Sequence, residues 1–251
     1  MMSAPTSDIQ SQILATLRLI SPVLALNVPK CRVGRAADGG YVMLDDLDCI
    51  GICYSLGAGP DVSWDCEMAE RGAEIFLYDH TVQRPPAEHP RLHHFRVGIT
   101  HDRLLAPDFK RIDDLIVDNG HEDRDDMVLK VDIEGHEWDS LSVLDTAVFA
   151  RFRQILVEFH GLRMLNIDSF RARARHLFSK LRQTHEVIHV HGNNFAGMPV
   201  VEGIPISDCI EISFAARPYY SFAQTNEIFP GRLDFPNNST IADLFLGSFK
   251  F

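Results

Sequence analysis

Cysteines are scarce in this sequence and follow no recognisable pattern. The 251 residues include five, an odd number that forms no CxxC pair and no zinc-finger spacing. This pattern favours small buried side chains in a reducing compartment over a redox centre or a structural metal site.

Positive charge is also in deficit. The chain carries 24 Lys and Arg residues against 35 Asp and Glu residues, which gives a net charge of −11. Because an acidic surface repels phosphate groups, nucleic acid and anionic membranes are disfavoured as partners. A neutral small molecule or a glycan remains compatible with this charge, and a homo-oligomer stays open.

Long hydrophobic runs are lacking as well. The apolar stretch 13–28 is interrupted by Arg18, Ser21, Pro22 and Asn27, and the N-terminal segment has no basic cluster. We therefore expect no stable membrane insertion and a cytoplasmic protein.

The remaining composition is that of an ordinary globular protein. With 45% hydrophobic and 24% charged residues, the chain can bury one full core, so we predict a single domain over residues 1–251. Ser7 and Gln10 resemble a capping box, and residues 1–30 are predicted to be an N-terminal helical extension. The aromatic tail 216–251 is predicted to pack on the core, and segment 192–207 to form a functional loop.

Short apolar runs alternate with helical segments along the middle of the chain. The runs are Ile52–Leu56, Glu74–Asp79, His94–Ile99, Met127–Asp132, Ile155–His160, Glu186–His191 and Cys209–Ala215. The helical segments are Ser63–Arg71, Arg111–Asp118, His136–Leu144 and Ser169–Leu181. Nearly continuous apolar runs are typical of strands buried on both faces. The alternation predicts an α/β fold with a mostly parallel seven-stranded sheet and helices on both faces.

A glycine-containing turn follows the first predicted strand. Gly57 and Gly59 allow a sharp turn and the close approach of a ligand to the backbone. About 20 residues later the next strand ends at Asp79, whose carboxylate can bind both hydroxyls of a ribose. Dinucleotide sites require a small residue where this chain has Val62, so S-adenosylmethionine is favoured over a nicotinamide cofactor.

Polar side chains end three further predicted strands. Lys130 and Asp132 share one face of a strand, and a buried Lys130 needs a partner such as Asp132 or Glu158. The polar strand ends predicted to converge on one rim are Asp132, Glu158, His160, His191 and Asn193. Such side chains can hold a divalent ion, or they can act as a general base and as clamps on a substrate.

One of these strand ends belongs to a longer motif. The segment Leu129–Glu137 resembles the K-[IV]-D-[IV]-E-G-x-E signature of the FkbM-type S-adenosylmethionine-dependent methyltransferases. Segments 32–41, 54–65, 158–160 and 189–194 look like a methyltransferase-like branch of the same group. The resemblance implies a class I methyltransferase (Rossmann-like) sheet of seven strands, the last antiparallel. It also implies O-methylation of a hydroxyl on a sugar, a glycolipid or a polyketide-like molecule.

The resemblance also implies roles for individual residues. Gly57 and Gly59 would contact the methionine part of the cofactor, Asp79 its ribose, and Asp132 would lie at the reaction rim. Ser55 stands where many class I enzymes carry an acid, so other residues are expected to anchor the cofactor. The further cofactor-binding residues we predict are Gly40, Tyr41, Ala58, Asp61 and His80.

A hydroxyl acceptor needs activation, because it is barely ionised at neutral pH. We predict that His191 is the base, or Glu158 acting with His160, and that Asp132 and Glu158 bind a Mg²⁺-like ion if a metal is used. Two other activities stay open: a nicotinamide-dependent oxidoreductase, and a metal-dependent hydrolase that uses the same His, Asp and Glu rim. A sugar- or nucleotide-binding module without catalysis is a further alternative.

Overall fold

A computed structural model describes residues 8–251. The predicted cap residue Ser7 lies outside this range. The chain begins with helix α1 (Asp8–Leu17), which a short 3-10 turn (Arg18–Ile20) continues. The N-terminal helix is confirmed, but the predicted extension is not helical throughout. Strand Val23–Leu26 follows and pairs antiparallel with Ser221–Gln224 of the tail.

A seven-stranded sheet forms the centre of the protein. Its strands are β1 (Ile52–Leu56), β2 (Glu74–Tyr78), β3 (Leu92–Phe95), β4 (Met127–Val131), β5 (Phe152–His160), β6 (His185–Gly192) and β7 (Cys209–Ala216). Their spatial order is β3-β2-β1-β4-β5-β7-β6. All strands run parallel except β7, which pairs antiparallel with both β5 and β6. The mostly parallel sheet predicted from the apolar runs is therefore confirmed.

The third strand differs from its prediction. The apolar run His94–Ile99 predicts one strand, but β3 ends at Phe95, and Gly98–Ile99 pairs instead with Phe109–Lys110 in a separate two-stranded sheet. A Cβ atom at Gly98 would lie 2.4 Å from the Phe109 ring. Because Gly98 has no side chain, Phe109 can pack on this backbone, and the segment pairs with Phe109–Lys110 instead of continuing β3.

The two faces of the sheet are covered unequally. The remaining helices are α2 (Ser63–Glu70), α3 (Ile112–Asp118), α4 (Glu137–Ser142), α5 (Thr146–Phe149) and α6 (Asp168–Leu181), with 3-10 turns at Leu47–Cys49 and Leu162–Asn166. Residues of α1 and of α3 to α6 share one hydrophobic cluster with the sheet. On the opposite face, α2 packs beside the antiparallel hairpin Lys30–Val33/Tyr41–Leu44. Helices thus lie on both faces, but within residues 8–251 α2 is the only one on the second.

The hairpin and the tail do not fill the second face of the sheet completely, so polar side chains also lie there. The sequence indicates only turns near residues 30–41, whereas the hairpin buries Val33 and Tyr41 against the sheet. Phe229 of the tail is fully buried, and its ring lies 5.1 Å from that of His189. In the predicted loop 192–207, strands Val200–Val201 and Ile204–Pro205 form a small hairpin.

Among the described residues, no helix has both the length and the apolar character to cross a bilayer.

Candidate functional site

An open cleft of about 620 Å³ lies at the carboxyl ends of β1, β2 and β4. Its walls are the glycine loop 57–61, the segment 78–81, the segments 97–101 and 132–136, and the side chains of Lys130 and Phe109. The cleft therefore occupies the edge at which parallel α/β sheets place their ligands. We call it the first cleft.

Asp79 connects the end of β2 to the glycine loop. Its Oδ2 atom accepts hydrogen bonds from the amides of Ala58 (2.9 Å) and Gly59 (3.4 Å), and its Oδ1 atom accepts from the amide and hydroxyl of Thr81. Burial opposes ionisation, but these hydrogen bonds outweigh it and lower the pKa of the Asp79 carboxyl. Asp79 lines the first cleft as an anion, and a ribose hydroxyl would have to replace one of the present donors.

The two glycines of the loop serve different purposes. Gly57 has φ +87°, and a Cβ atom there would lie 1.7 Å from the carbonyl oxygen of Asp132. Gly57 is thus required by the neighbouring chain segment, rather than by a ligand as the sequence pattern predicts. Gly59 has φ +53°, and a Cβ atom there would meet no heavy atom within 4 Å beyond its chain neighbours, so it leaves open space in the cleft.

Three other predicted cofactor residues are engaged in different ways. Asp61 holds the first residue of α2, because its Oδ1 atom accepts from the amide (3.0 Å) and hydroxyl (2.6 Å) of Ser63. His80 is exposed, and its ring lies 4.8 Å from that of Phe109 at the rim of the first cleft. Gly40 is buried in the turn of the hairpin, where a Cβ atom would lie 2.1 Å from the Arg35 carbonyl oxygen. Of the three, Asp61 and His80 line the cleft.

Lys130 lies in the first cleft and is only 3% exposed. Its Nζ atom donates to the Gly57 carbonyl oxygen at 3.2 Å and to the Ser55 hydroxyl at 3.5 Å, and it lies 5.6 Å from the centre of the Tyr41 ring. The predicted ion pairs with Asp132 and Glu158 are not formed at salt-bridge distance.

A second cleft of about 340 Å³ adjoins the first. It is lined by Asp38, Asp132, Glu134, Glu158, His160, Asn193, Phe195, Ala196 and Cys209. Asp38, Asp132 and Glu134 also line the first cleft, so the two spaces meet at these carboxylates. Asp132, Glu158, His160 and Asn193 therefore converge as the sequence predicts.

Asp132 is one of the three carboxylates that line both clefts. Burial raises its pKa to about 6, even though the positive charges of Lys130 and His160 act in the opposite direction. The hydroxyl of the buried Tyr41 faces its Oδ2 atom at 3.5 Å. At neutral pH Asp132 is therefore ionised, with a proton affinity near that required of a general base.

Glu158 and His160 occupy the floor of the second cleft. The Oε1 atom of Glu158 accepts from Asn193 Nδ2 (2.6 Å) and from the Cys209 thiol (2.7 Å). Burial and the nearby carboxylates Asp132 and Glu211 raise the pKa of Glu158 well above its ordinary value. Burial and these carboxylates therefore favour the protonated form of Glu158.

His160 is the cation of the second cleft. Burial disfavours its charged form, but the hydrogen bond to Glu137 and the surrounding carboxylates raise its pKa to about 9. Its Nδ1 atom donates to Glu137 Oε1 at 3.2 Å, and Trp138 Nε1 donates to its carbonyl oxygen at 2.7 Å. Glu137 Oε1 also accepts from the Ile133 and Gly135 amides, which holds the turn after β4.

His191 lies apart from both clefts. It is 2% exposed, with its Nδ1 atom 3.2 Å from Glu211 and its Nε2 atom 3.1 Å from Asp243 of the tail. Burial acts against protonation, but these two carboxylates raise its pKa to about 10. A buried imidazolium that is already protonated cannot accept a proton from an acceptor, so this geometry gives His191 a structural role.

Two contributors to this site do not stand out in the sequence. Cys209 is interpreted there as a small apolar residue, and Glu137 ends the signature segment 129–137 without a role of its own, yet Cys209 contacts Glu158 and Glu137 contacts His160. The sequence does contain a signal of a polar layer on this face of the sheet. It is a polar residue within a mostly apolar run, such as Glu211 of β7.

Within residues 8–251, three groups of side chains have atoms close enough to share a cation. They are Glu158/His160/Cys209, Asp132/Glu137/His160 and Asp38/Glu158/Glu211. Asp132 and Glu158, the predicted metal ligands, line the same cleft but belong to different groups. Carboxylate, imidazole and thiolate donors suit a transition metal, whereas carboxylates alone suit Mg²⁺.

Comparison with known proteins gives no match: no protein-family model fits the chain, and no curated protein is similar to it. The resemblance to the FkbM-type methyltransferases thus rests on the motif residues alone.

Proposed function

We propose that this protein is an S-adenosylmethionine-dependent methyltransferase that acts on a hydroxyl group of a sugar-like small molecule. The observation that carries the proposal is the junction of two clefts at Asp132, with a glycine loop and an anionic strand end in one and a polar pocket in the other. Methyl transfer needs such adjoining spaces, because donor and acceptor must meet in line.

The strand order adds support. A mostly parallel sheet in the order β3-β2-β1-β4-β5-β7-β6, with β7 antiparallel, agrees with the class I methyltransferase sheet that the resemblance implies. The open space beside Gly59 and the carboxylate of Asp79 fit an adenosine.

In this proposal the first cleft binds the cofactor and the second cleft binds the acceptor. S-adenosylmethionine, when bound, supplies an electrophilic methyl group. Asp132 accepts the proton of the acceptor hydroxyl, since it is ionised at neutral pH and reaches both clefts. The imidazolium of His160 and the amide of Asn193 orient the acceptor, and Phe195, 64% exposed, lies at the mouth of the second cleft.

The nicotinamide alternative fits the first cleft less well. A pyrophosphate bound at the N-terminus of α2 would lie beside the carboxylate of Asp61, which would repel it. The bulky Val62 is buried at the same turn.

A metal-dependent hydrolase is the second candidate, and the donor set Glu158/His160/Cys209 favours it. Calorimetric titration with Zn²⁺ and Mg²⁺, followed by a hydrolase assay before and after exhaustive chelation, tests this alternative.

Isothermal titration calorimetry tests the main proposal. The full-length protein is titrated with S-adenosylhomocysteine, NAD⁺ and NADH under identical conditions. We expect saturable binding of S-adenosylhomocysteine only. Preferential binding of a nicotinamide cofactor would overturn the assignment.

A further inference from the structure

Lys130 is a buried cation with an incomplete set of partners. Its ammonium group has three N–H donors, and the two oxygen atoms that it contacts are a neutral carbonyl and a neutral hydroxyl. Within residues 8–251, no carboxylate oxygen lies within 4 Å of its Nζ atom. An unpaired buried charge is costly, so proteins normally provide a counter-ion for it.

Lys30, which is partly exposed, provides a comparison. Its Nζ atom lies 2.5 Å from a carboxylate oxygen of Glu227. Lys130 therefore lacks the carboxylate partner that Lys30 has, and a bound anion would supply one.

The position of Lys130 defines where that anion would lie. The side chain projects from β4 into the first cleft, beside the first glycine of the loop that follows β1. Asp79 lies at the end of β2, on the other side of β1 from β4. The cleft thus has the Asp79 carboxylate at the β2 end and, at the β4 end, the Lys130 cation, which interacts electrostatically with Asp132 but contacts no carboxylate directly.

We propose that Lys130 binds the carboxylate of the amino-acid part of S-adenosylmethionine and of its product S-adenosylhomocysteine. This inference rests on the function proposed above. A ligand with an adenosine at one end and an α-amino-acid carboxylate at the other matches the two ends of the cleft.

The assignment makes the carboxylate a determinant of specificity. A nucleoside without the carboxylate leaves the Lys130 ammonium buried and unpaired when it fills the cleft. Losing one partner of a buried charge pair weakens binding by about 30-fold or more. The protein is therefore expected to discriminate against decarboxylated analogues of its cofactor.

Calorimetric titration of the full-length protein tests the assignment with two ligands. S-adenosylhomocysteine is compared with its decarboxylated analogue, which keeps the adenosine, the sulfur atom and the amine. For the wild-type protein we expect the analogue to bind about 30-fold more weakly, or worse. For Lys130→Met we expect S-adenosylhomocysteine to bind about as weakly as the analogue does.

Lys180→Met is the matched control. The Nζ atom of Lys180 also donates to two carbonyl oxygens, of Ser142 (2.7 Å) and Leu144 (3.0 Å), but it lies on α6 outside both clefts. We expect this variant to discriminate between the two ligands as the wild-type protein does. If Lys130→Met does not fold, the ligand comparison on the wild-type protein decides by itself.

The outcomes separate the two proposals. Equal affinity of the wild-type protein for both ligands would overturn the role of Lys130 and leave the methyltransferase proposal intact. Equal discrimination by Lys130→Met and the wild-type protein would do the same. Binding of neither ligand by the wild-type protein would contradict the proposed function and this assignment with it.

Discussion

Gly57 and Asp132 are in such close contact that no side chain fits between them. A Cβ atom at position 57 would lie 1.7 Å from the Asp132 carbonyl oxygen, and the Asp132 amide donates to the Leu56 carbonyl oxygen at 2.8 Å. The end of β4 is thereby fixed against the glycine loop. This contact sets the position of the proposed base relative to the proposed cofactor loop.

Gly57→Ala is therefore expected to lower the free energy of unfolding by at least about 3 kcal/mol, from the positive φ and the steric overlap together. Gly59→Ala is the control, because it has a positive φ but open space, and it should cost about 1–2 kcal/mol. Urea unfolding of the two variants and the wild-type protein measures both values. Equal losses of unfolding free energy for the two variants would contradict the close contact between Gly57 and Asp132.

Asp132→Asn is expected to slow methyl transfer by about 100- to 10,000-fold, because an amide cannot accept the hydroxyl proton. S-adenosylhomocysteine should still bind with nearly wild-type affinity. The rate is measured with labelled S-adenosylmethionine and an acceptor found in a sugar panel. A fully active variant would remove Asp132 from the mechanism.

The pH dependence of the wild-type enzyme provides a separate test of Asp132. Its pKa of about 6 predicts that the methyl-transfer rate rises as pH increases through 6, and the rate should fall again as pH rises through about 9, where His160 loses the proton with which it orients the acceptor. Flat activity between pH 5 and 7 would contradict an ionised Asp132 as the base.

Glu158→Gln distinguishes the two candidate functions. Since burial and neighbouring carboxylates favour the protonated form of Glu158, an isosteric amide should change the unfolding free energy by only about 1 kcal/mol and preserve cofactor binding. Loss of Zn²⁺ binding together with hydrolysis in this variant would favour the metal-dependent alternative.

His191 should make stability depend on pH in the alkaline range. Its pKa is raised from 6.5 to about 10, so its contribution is fully present below pH 6.5 and is lost as pH rises through 10. His191→Gln removes the cation between the buried Glu211 and the partly exposed Asp243, and should cost about 3 kcal/mol at neutral pH. Urea unfolding at pH 6, 8 and 10 should show a flatter profile for the variant; parallel profiles would contradict the prediction.

Much of the fold can be predicted from local sequence patterns, and the reason is the sheet itself. Strands such as Ile52–Leu56 are buried on both faces, so apolar runs locate them nearly to the residue. The hairpin at 30–44 is not predicted from the sequence, because its strands are short and are bounded by turn residues. Its pairing depends on contacts with the distant sheet, which no local pattern encodes.

The site is predictable in its strand ends but not in its protonation states. The positions of Asp132, Glu158 and His160 follow from parallel strands ending at one edge. The role of His191 depends instead on Asp243, 52 residues away along the chain, which the tail folds back to meet it. Tertiary contacts of this kind decide which histidine is accessible and which is buried.

The most direct test is a crystal structure of the protein with S-adenosylhomocysteine. We predict the adenosine in the first cleft between Gly59 and Asp79, and the sulfur atom directed towards Asp132. A first cleft without ligand, in crystals that hold the ligand elsewhere, would contradict the proposed function.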